Sequence, residues 1–167
     1  MRLHQFEASK GVEARWAPVL DDWFRQMYVI DDATMEQQWR GIDRIVHAED
    51  GPVTLDYKCD TRARDTKRLF METVSNSETG RPGWLLTSEA EWLVYFVVPD
   101  DVWMFRFACL RQQLAAWRQT WPEKPARNDR YSTLGLCVPM FVAQHEAEYI
   151  AHLSRGDGAV LVPRDHR

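Results

Sequence analysis

Cysteine is scarce in this chain. The 167 residues hold three, Cys59, Cys109 and Cys137, with no CxxC pair. An odd and widely spaced set builds neither a disulfide framework nor a cysteine zinc site, and reads as reduced thiols in a cytoplasmic protein. No apolar run reaches the roughly 18 residues of a membrane-spanning helix. The opening Met1-Arg2-Leu3-His4-Gln5-Phe6-Glu7 lacks the apolar stretch of a signal peptide. The eight glycines form no phosphate-cradling loop, and no Gly-x-Ser-x-Gly occurs. Repeats and low-complexity segments are missing. Positive charge is short as well: a net charge of −4 weighs against a generic nucleic-acid binder. Any contact with backbone phosphate would need a local basic patch.

What is present is a pattern of carboxylates. Val53-Thr54-Leu55-Asp56-Tyr57-Lys58-Cys59-Asp60 alternates apolar and polar at every step. Successive side chains of a strand point to opposite faces. Val53, Leu55, Tyr57 and Cys59 would line one face, and Thr54, Asp56, Lys58 and Asp60 the other. A preceding strand could bring Asp43 beside Asp56 and Lys58. Two carboxylates and a lysine suit metal-assisted phosphodiester hydrolysis. Mg²⁺ prefers oxygen ligands and is usually held by one or two carboxylates, waters and a substrate phosphate. The metal polarises the phosphate and acidifies bound water. A lysine on the same face orients that water or stabilises charge building on the phosphate.

An acidic-x-Lys triplet alone is weak, since one arises by chance roughly once in a chain of ordinary composition and this length. Asp65-Thr66-Lys67 is such a decoy, set in a stretch without alternation that reads as a loop. Strand context favours Asp56 and Lys58. The competing reading makes them the solvated face of an antiparallel sheet.

The surrounding order adds to the pattern. Glu36-Gln37-Gln38-Trp39-Arg40-Gly41-Ile42-Asp43 precedes the Asp56-Tyr57-Lys58 strand. Leu69-Phe70-Met71-Glu72-Thr73-Val74, Gly80-Arg81-Pro82-Gly83-Trp84 and the aromatic run Trp92–Val98 follow it. This order resembles the PD-(D/E)xK nuclease superfamily, particularly small phage or bacterial members with a Gly-Ile-Asp first motif. It covers somewhat under half the chain. It departs in having Ile42 where a proline precedes the first acid, and its second acid is Asp rather than Glu. The resemblance implies a restriction-endonuclease-like α/β fold with a mixed central β-sheet flanked by helices. It implies Asp43 and Asp56 as metal ligands, Lys58 as catalytic lysine, and Glu72 as a further acidic member that could serve a second ion. Glu36 or Gln38 matches an upstream helix position. The cofactor implied is Mg²⁺ or Mn²⁺, and the substrate is DNA or RNA, with DNA favoured. The superfamily also contains inactive binding members. The alternative function is therefore a nuclease-fold protein that engages a protein or nucleic-acid partner without cutting, in phage defence or counter-defence. A homodimer is compatible with either.

The best basic patch is Arg62, Arg64, Lys67 and Arg68, which Arg40, Arg44 and Arg81 could extend onto nucleic acid. The competing reading is a solvated loop. Of the eight tryptophans, Trp16, Trp23, Trp117 and Trp121 mark apolar helical faces, while Trp39 and Trp84 are placed to line a groove.

One domain spans residues 1–167, with its core motifs at about 36–106 and a flexible tail at 154–167. Periodicity predicts a helix within 12–29, started or kinked by Pro18. Strands are predicted at 42–47, 52–60 and 69–75 as one meander. Thr87 is expected to cap a helix reaching Glu91. Strands follow at 94–98 and 102–107, and Leu110, Leu114, Trp117 and Trp121 mark a helix. Residues 122–130 read as a loop, 132–143 as a strand and 144–153 as a helix. That last helix would align His145, Glu148 and His152, a weak transition-metal face set against a solvated one.

Overall fold

The computed structural model describes residues 4–97, 99–127 and 131–152, with backbone alone for 4–10, Val12 and Trp23. The predicted tail at 154–167 lies outside the described residues. In chain order the elements are α1 (His4–Arg25), β1 (Val29–Asp32), α2 (Met35–Trp39), β2 (Arg44–Ala48), β3 (Gly51–Asp60), α3 (Ala63–Thr66), β4 (Arg68–Asn76), β5 (Arg81–Pro82) and α4 (Trp84–Thr87). β6 (Trp92–Val97), β7 (Asp101–Arg106), α5 (Phe107–Thr120), β8 (Glu123–Arg127), β9 (Ser132–Pro139), α6 (Met140–Ala143) and β10 (Tyr149–His152) follow.

Six strands form a mixed sheet in the order β1-β2-β3-β6-β7-β10. Among the described residues only its β3–β6 pair is parallel. A second, antiparallel sheet runs β5-β4-β9-β8. The molecule is α/β with a mixed central sheet. The predicted three-strand meander is corrected here. β2 and β3 do pair, but β4 leaves for the second sheet and the chain returns in β6 alongside β3. β6 is buried along its whole length, as a central strand covered on both faces must be.

Two apolar cores explain that burial. On one face α1 lays Trp16, Leu20 and Phe24 against Leu55, Tyr57, Val94 and Phe96. The helix continues through Pro18. On the other face Leu93, Tyr95, Trp103 and Phe105 meet Leu69 and Met71 of β4, Leu136 and Val138 of β9, and Leu110, Leu114 and Trp117 of α5. The central sheet is therefore sandwiched between a helix and a second sheet.

The structure corrects three further expectations. Thr87 ends α4 rather than starting a helix. The stretch taken for a loop after Trp121 contains β8, an edge strand of the second sheet, the position in a sheet where a proline such as Pro125 is tolerated. The predicted 144–153 helix is a short 3₁₀ turn at Gln144–Glu146 followed by β10. His145, Glu148 and His152 thus share no helical face.

Candidate active site

β2 and β3 run antiparallel with Arg44 opposite Leu55, and Asp43, just ahead of β2, bonds the same Leu55 carbonyl and the Tyr57 amide, which brings its charge to bear on Asp56. Asp43 is pinned there from three sides. Its amide donates to the Leu55 carbonyl at 2.8 Å. Its carbonyl accepts from the Ala33 amide at 3.1 Å and from Arg44 Nη1 at 2.9 Å. Its Oδ2 accepts from the Tyr57 amide at 2.7 Å. The carboxylate thereby takes over an amide that the end of β2 leaves without a strand partner.

Asp56, Lys58 and Asp60 share one face of β3, as the alternation predicts. That face is not solvated. It looks toward the second sheet, and Asp56 is fully buried. Its Oδ1 accepts from the Lys58 ammonium, which also donates to the Tyr57 carbonyl at 3.0 Å. Its Oδ2 is buried and has no hydrogen-bond partner. Such an orphaned oxygen is costly and rare in a folded protein. The Ser88 hydroxyl lies beside Asp56, but its proton is donated to the Gly41 carbonyl at 2.9 Å.

Glu72 reaches the same pocket from β4. Its Oε1 accepts from the Trp84 amide at 3.2 Å. Gly83 permits that approach, since a Cβ there would lie 2.7 Å from the Glu72 side chain and backbone. Gly41 is equally constrained, with φ +77° and a would-be Cβ 2.9–3.0 Å from Ser88. The Gly-Ile-Asp turn needs its glycine for both reasons.

The charges of these four residues act on one another. Burial pushes the Asp56 carboxyl up to about 6, against the pull of Lys58 and with a further push from Asp43. Burial also raises Glu72, offset by the Trp84 amide and Lys58. For Lys58 burial favours the neutral amine, but the Asp56 and Asp43 charges outweigh it and hold the ammonium above its ordinary range. The structure thus brings Asp43, Asp56, Lys58 and Glu72 together.

It does not join every candidate to them. Glu36 is exposed on α2, and the Gln38 amide is spent on the Ala33 carbonyl. Arg64 is bound by Asp100 and by Asp101. Arg62, Lys67, Arg68 and Arg81 are exposed, and Arg68 also donates to the Cys137 carbonyl. The decoy stretch is not the loop expected: Asp65 lies in the one-turn helix α3 and Lys67 follows as its C-cap with φ 55°. Trp39 is 81% exposed. Trp84 is partly buried and packs on Tyr95 and Phe107 instead.

Three contributors escape the motif pattern. Ser88 is one. Glu13 on α1 is another, its charge acting on Lys58 and Cys59. Its spacing of three and seven from Trp16 and Leu20 is the signal that places it on the inner face of α1. The third is Asp21, buried on α1 and bonded to Tyr57 and Arg44.

A separate cluster lies elsewhere. Ligand atoms of Asp100, Asp101 and His152 sit within 4.8 Å of one another, close enough to hold a cation. The Arg64 guanidinium already balances both carboxylates. Asp43, Asp56 and Glu72 form no such three-way set, so a cation among them would complete its shell with water and substrate oxygens. No family model matches the chain, and neither curated proteins nor solved structures show a match to it.

Proposed function

We propose that this protein is a divalent-metal-dependent nuclease with a restriction-endonuclease-like fold, hydrolysing phosphodiester bonds of DNA or RNA. One observation carries the reading: the fully buried Asp56 has an unpartnered Oδ2 in a pocket it shares with Asp43, Glu72 and Lys58. Lys58 supplies one positive charge against the three carboxylates Asp43, Asp56 and Glu72, and a bound cation would offset the rest. The donor set is oxygen only and suits Mg²⁺ or Mn²⁺. Asp56 Oδ2 and the Asp43 carboxylate would hold the ion, with Glu72 at its margin.

When bound, the ion polarises the scissile phosphate and makes its water more acidic. The chain's own part is positioning. Asp43 and Asp56 are fixed by β2 and β3. Lys58 has three N–H groups, and Asp56 and the Tyr57 carbonyl take two. The third is available to a water or a phosphate oxygen. Partial exposure of Asp43 and Glu72 leaves the pocket open to substrate.

Single- and double-stranded DNA and RNA, incubated with Mg²⁺, Mn²⁺ or EDTA, test the reading. Metal-dependent cutting should fall at least about 100-fold in both Asp56→Ala and Lys58→Ala. Should a clean wild type cut nothing, the alternative takes over: a binding protein whose Lys58–Asp56 contact is a closed ion pair. The exposed Trp39, Met35 and Phe141 favour that second reading as places for a partner to dock.

A further inference from the structure

Tyr57 stands between Asp56 and Lys58 but points to the opposite face of the sheet, under α1. Its hydroxyl donates to Asp21 Oδ1 at 2.8 Å. Arg44 Nε donates to Asp21 Oδ2 at 2.9 Å. Arg44 Nη1 donates to the Asp43 carbonyl, and the Tyr57 amide donates to the Asp43 carboxylate. The Arg44 guanidinium also lies 5.4 Å from the centre of the Tyr57 ring. These contacts close a ring: Asp21, Arg44, Asp43, Tyr57 and back to Asp21. Asp43 is held in it by both its backbone and its side chain.

We propose that Asp21 is a positioning residue for the metal centre, acting through Arg44 and Tyr57 to fix the Asp43 carboxylate from the far side of the sheet. This rests on the reading of Asp43 and Asp56 as metal ligands. Three features make the ring more than packing. Asp21 is a buried carboxylate on a helix whose neighbouring inward residues, Ala17, Leu20 and Phe24, are apolar. A buried acid there costs stability unless fully bonded, and both its oxygens are bonded. Those two partners are the side chains of the residues flanking Asp43 in the ring, one following it in sequence and one donating to its carboxylate. Arg44 is additionally drawn to Asp32 at 3.2 Å, so Asp21 is needed to hold its guanidinium inward. Outer partners that orient a ligand typically change metal affinity or activity 10–100-fold when removed.

The test is Mn²⁺ affinity by calorimetry at pH 8 on wild type, Asp21→Asn and Tyr57→Phe. Leu20→Ala serves as control, since it removes core packing from the same helix and leaves the ring intact. The exchange rate of the Tyr57 amide proton is followed by NMR in the metal-free proteins. Asp21→Asn and Tyr57→Phe should weaken Mn²⁺ at least 10-fold. They should also speed exchange of the Tyr57 amide while that of Val94 on β6 stays unchanged. Leu20→Ala should lower the melting temperature and leave Mn²⁺ affinity alone. Tyr57→Phe removes only a hydroxyl, so it remains informative if Asp21→Asn folds poorly. Undiminished affinity in both ring variants, or an equal loss in Leu20→Ala, overturns the proposal while leaving the metal centre standing. A wild type that takes up no Mn²⁺ overturns both.

Discussion

At the residue scale, Asp56 decides most. Its carboxyl ionises near 3.8 in an unfolded chain and, because of burial, near 6 in the folded one. The folded protein therefore holds the proton more tightly across that window. Stability from this group is greatest below about pH 4 and falls by about 3 kcal/mol as the pH rises to about 6. A divalent cation reverses the penalty by replacing the proton, so metal affinity climbs with pH and levels off above about 6. At pH 8, Mn²⁺ at about 100 times its Kd should add about 2.7 kcal/mol. In a chain of this size that is a rise of roughly 5–10 °C in melting temperature. The rise should shrink at pH 5 and vanish in Asp56→Asn, as read by thermal unfolding with and without EDTA. A rise that survives in Asp56→Asn puts the cation elsewhere, and Asp100, Asp101 and His152 become the first place to look. Lys58→Ala should keep the metal-induced rise yet lose about 10²–10³-fold in cutting rate, the usual size for a lost transition-state donor.

At the scale of elements, two glycines set how closely α2 and α4 approach the pocket. Gly41→Ala puts a Cβ into a positive-φ position and against the Ser88 backbone at 3.0 Å. Strain of this kind costs roughly 1–3 kcal/mol, so melting should fall by several degrees and cutting with it, because Ser88 walls Asp56. Gly83→Ala pushes α4 away from Glu72, whose Oε1 would lose the Trp84 amide. Its cutting loss should match that of Glu72→Gln; a much smaller loss argues that Glu72 is dispensable. The same elements show what the sequence could reveal. Asp43, Asp56 and Lys58 were legible because strand alternation fixes faces locally, and the Gly-Ile-Asp turn marks a start. The destination of β4 was not, since nothing in Leu69–Ser75 says which sheet will bond it; that depends on β9, over sixty residues away. Residues 144–153 misled for a related reason. Short apolar-polar stretches fit both periods, and pairing with β7 settled the choice. Asp21 was hidden because a single acid on an apolar helix face carries no local sign of its distant partners.

At the scale of the whole molecule, charge governs how substrate is held. Arg40, Arg44, Arg64, Arg106 and Arg118 all pair with carboxylates. An arginine so engaged gives up little to a phosphate. The exposed Arg62, Lys67, Arg68 and Arg81 are left as the basic surface predicted to meet nucleic acid. If each neutralises one phosphate of a duplex, log K should fall against log salt with a slope of roughly −3 to −4. Lys58→Ala, which should bind without cutting, allows that slope to be measured in Mg²⁺ by fluorescence anisotropy. Replacing Arg62, Lys67 and Arg68 together by alanine should flatten it by about 3. These three lie past the end of β3, beyond Asp60, while Asp56 sits four residues back along the strand, roughly 13 Å at strand spacing. β3 itself is covered by α1 and the second sheet, so a duplex spanning both would cross the Arg62–Arg68 turn and offer its scissile phosphate at the partly exposed Asp43 and Glu72. An unchanged slope in the triple variant removes that path and leaves Arg81 and the exposed Trp39 side of the pocket as the way in.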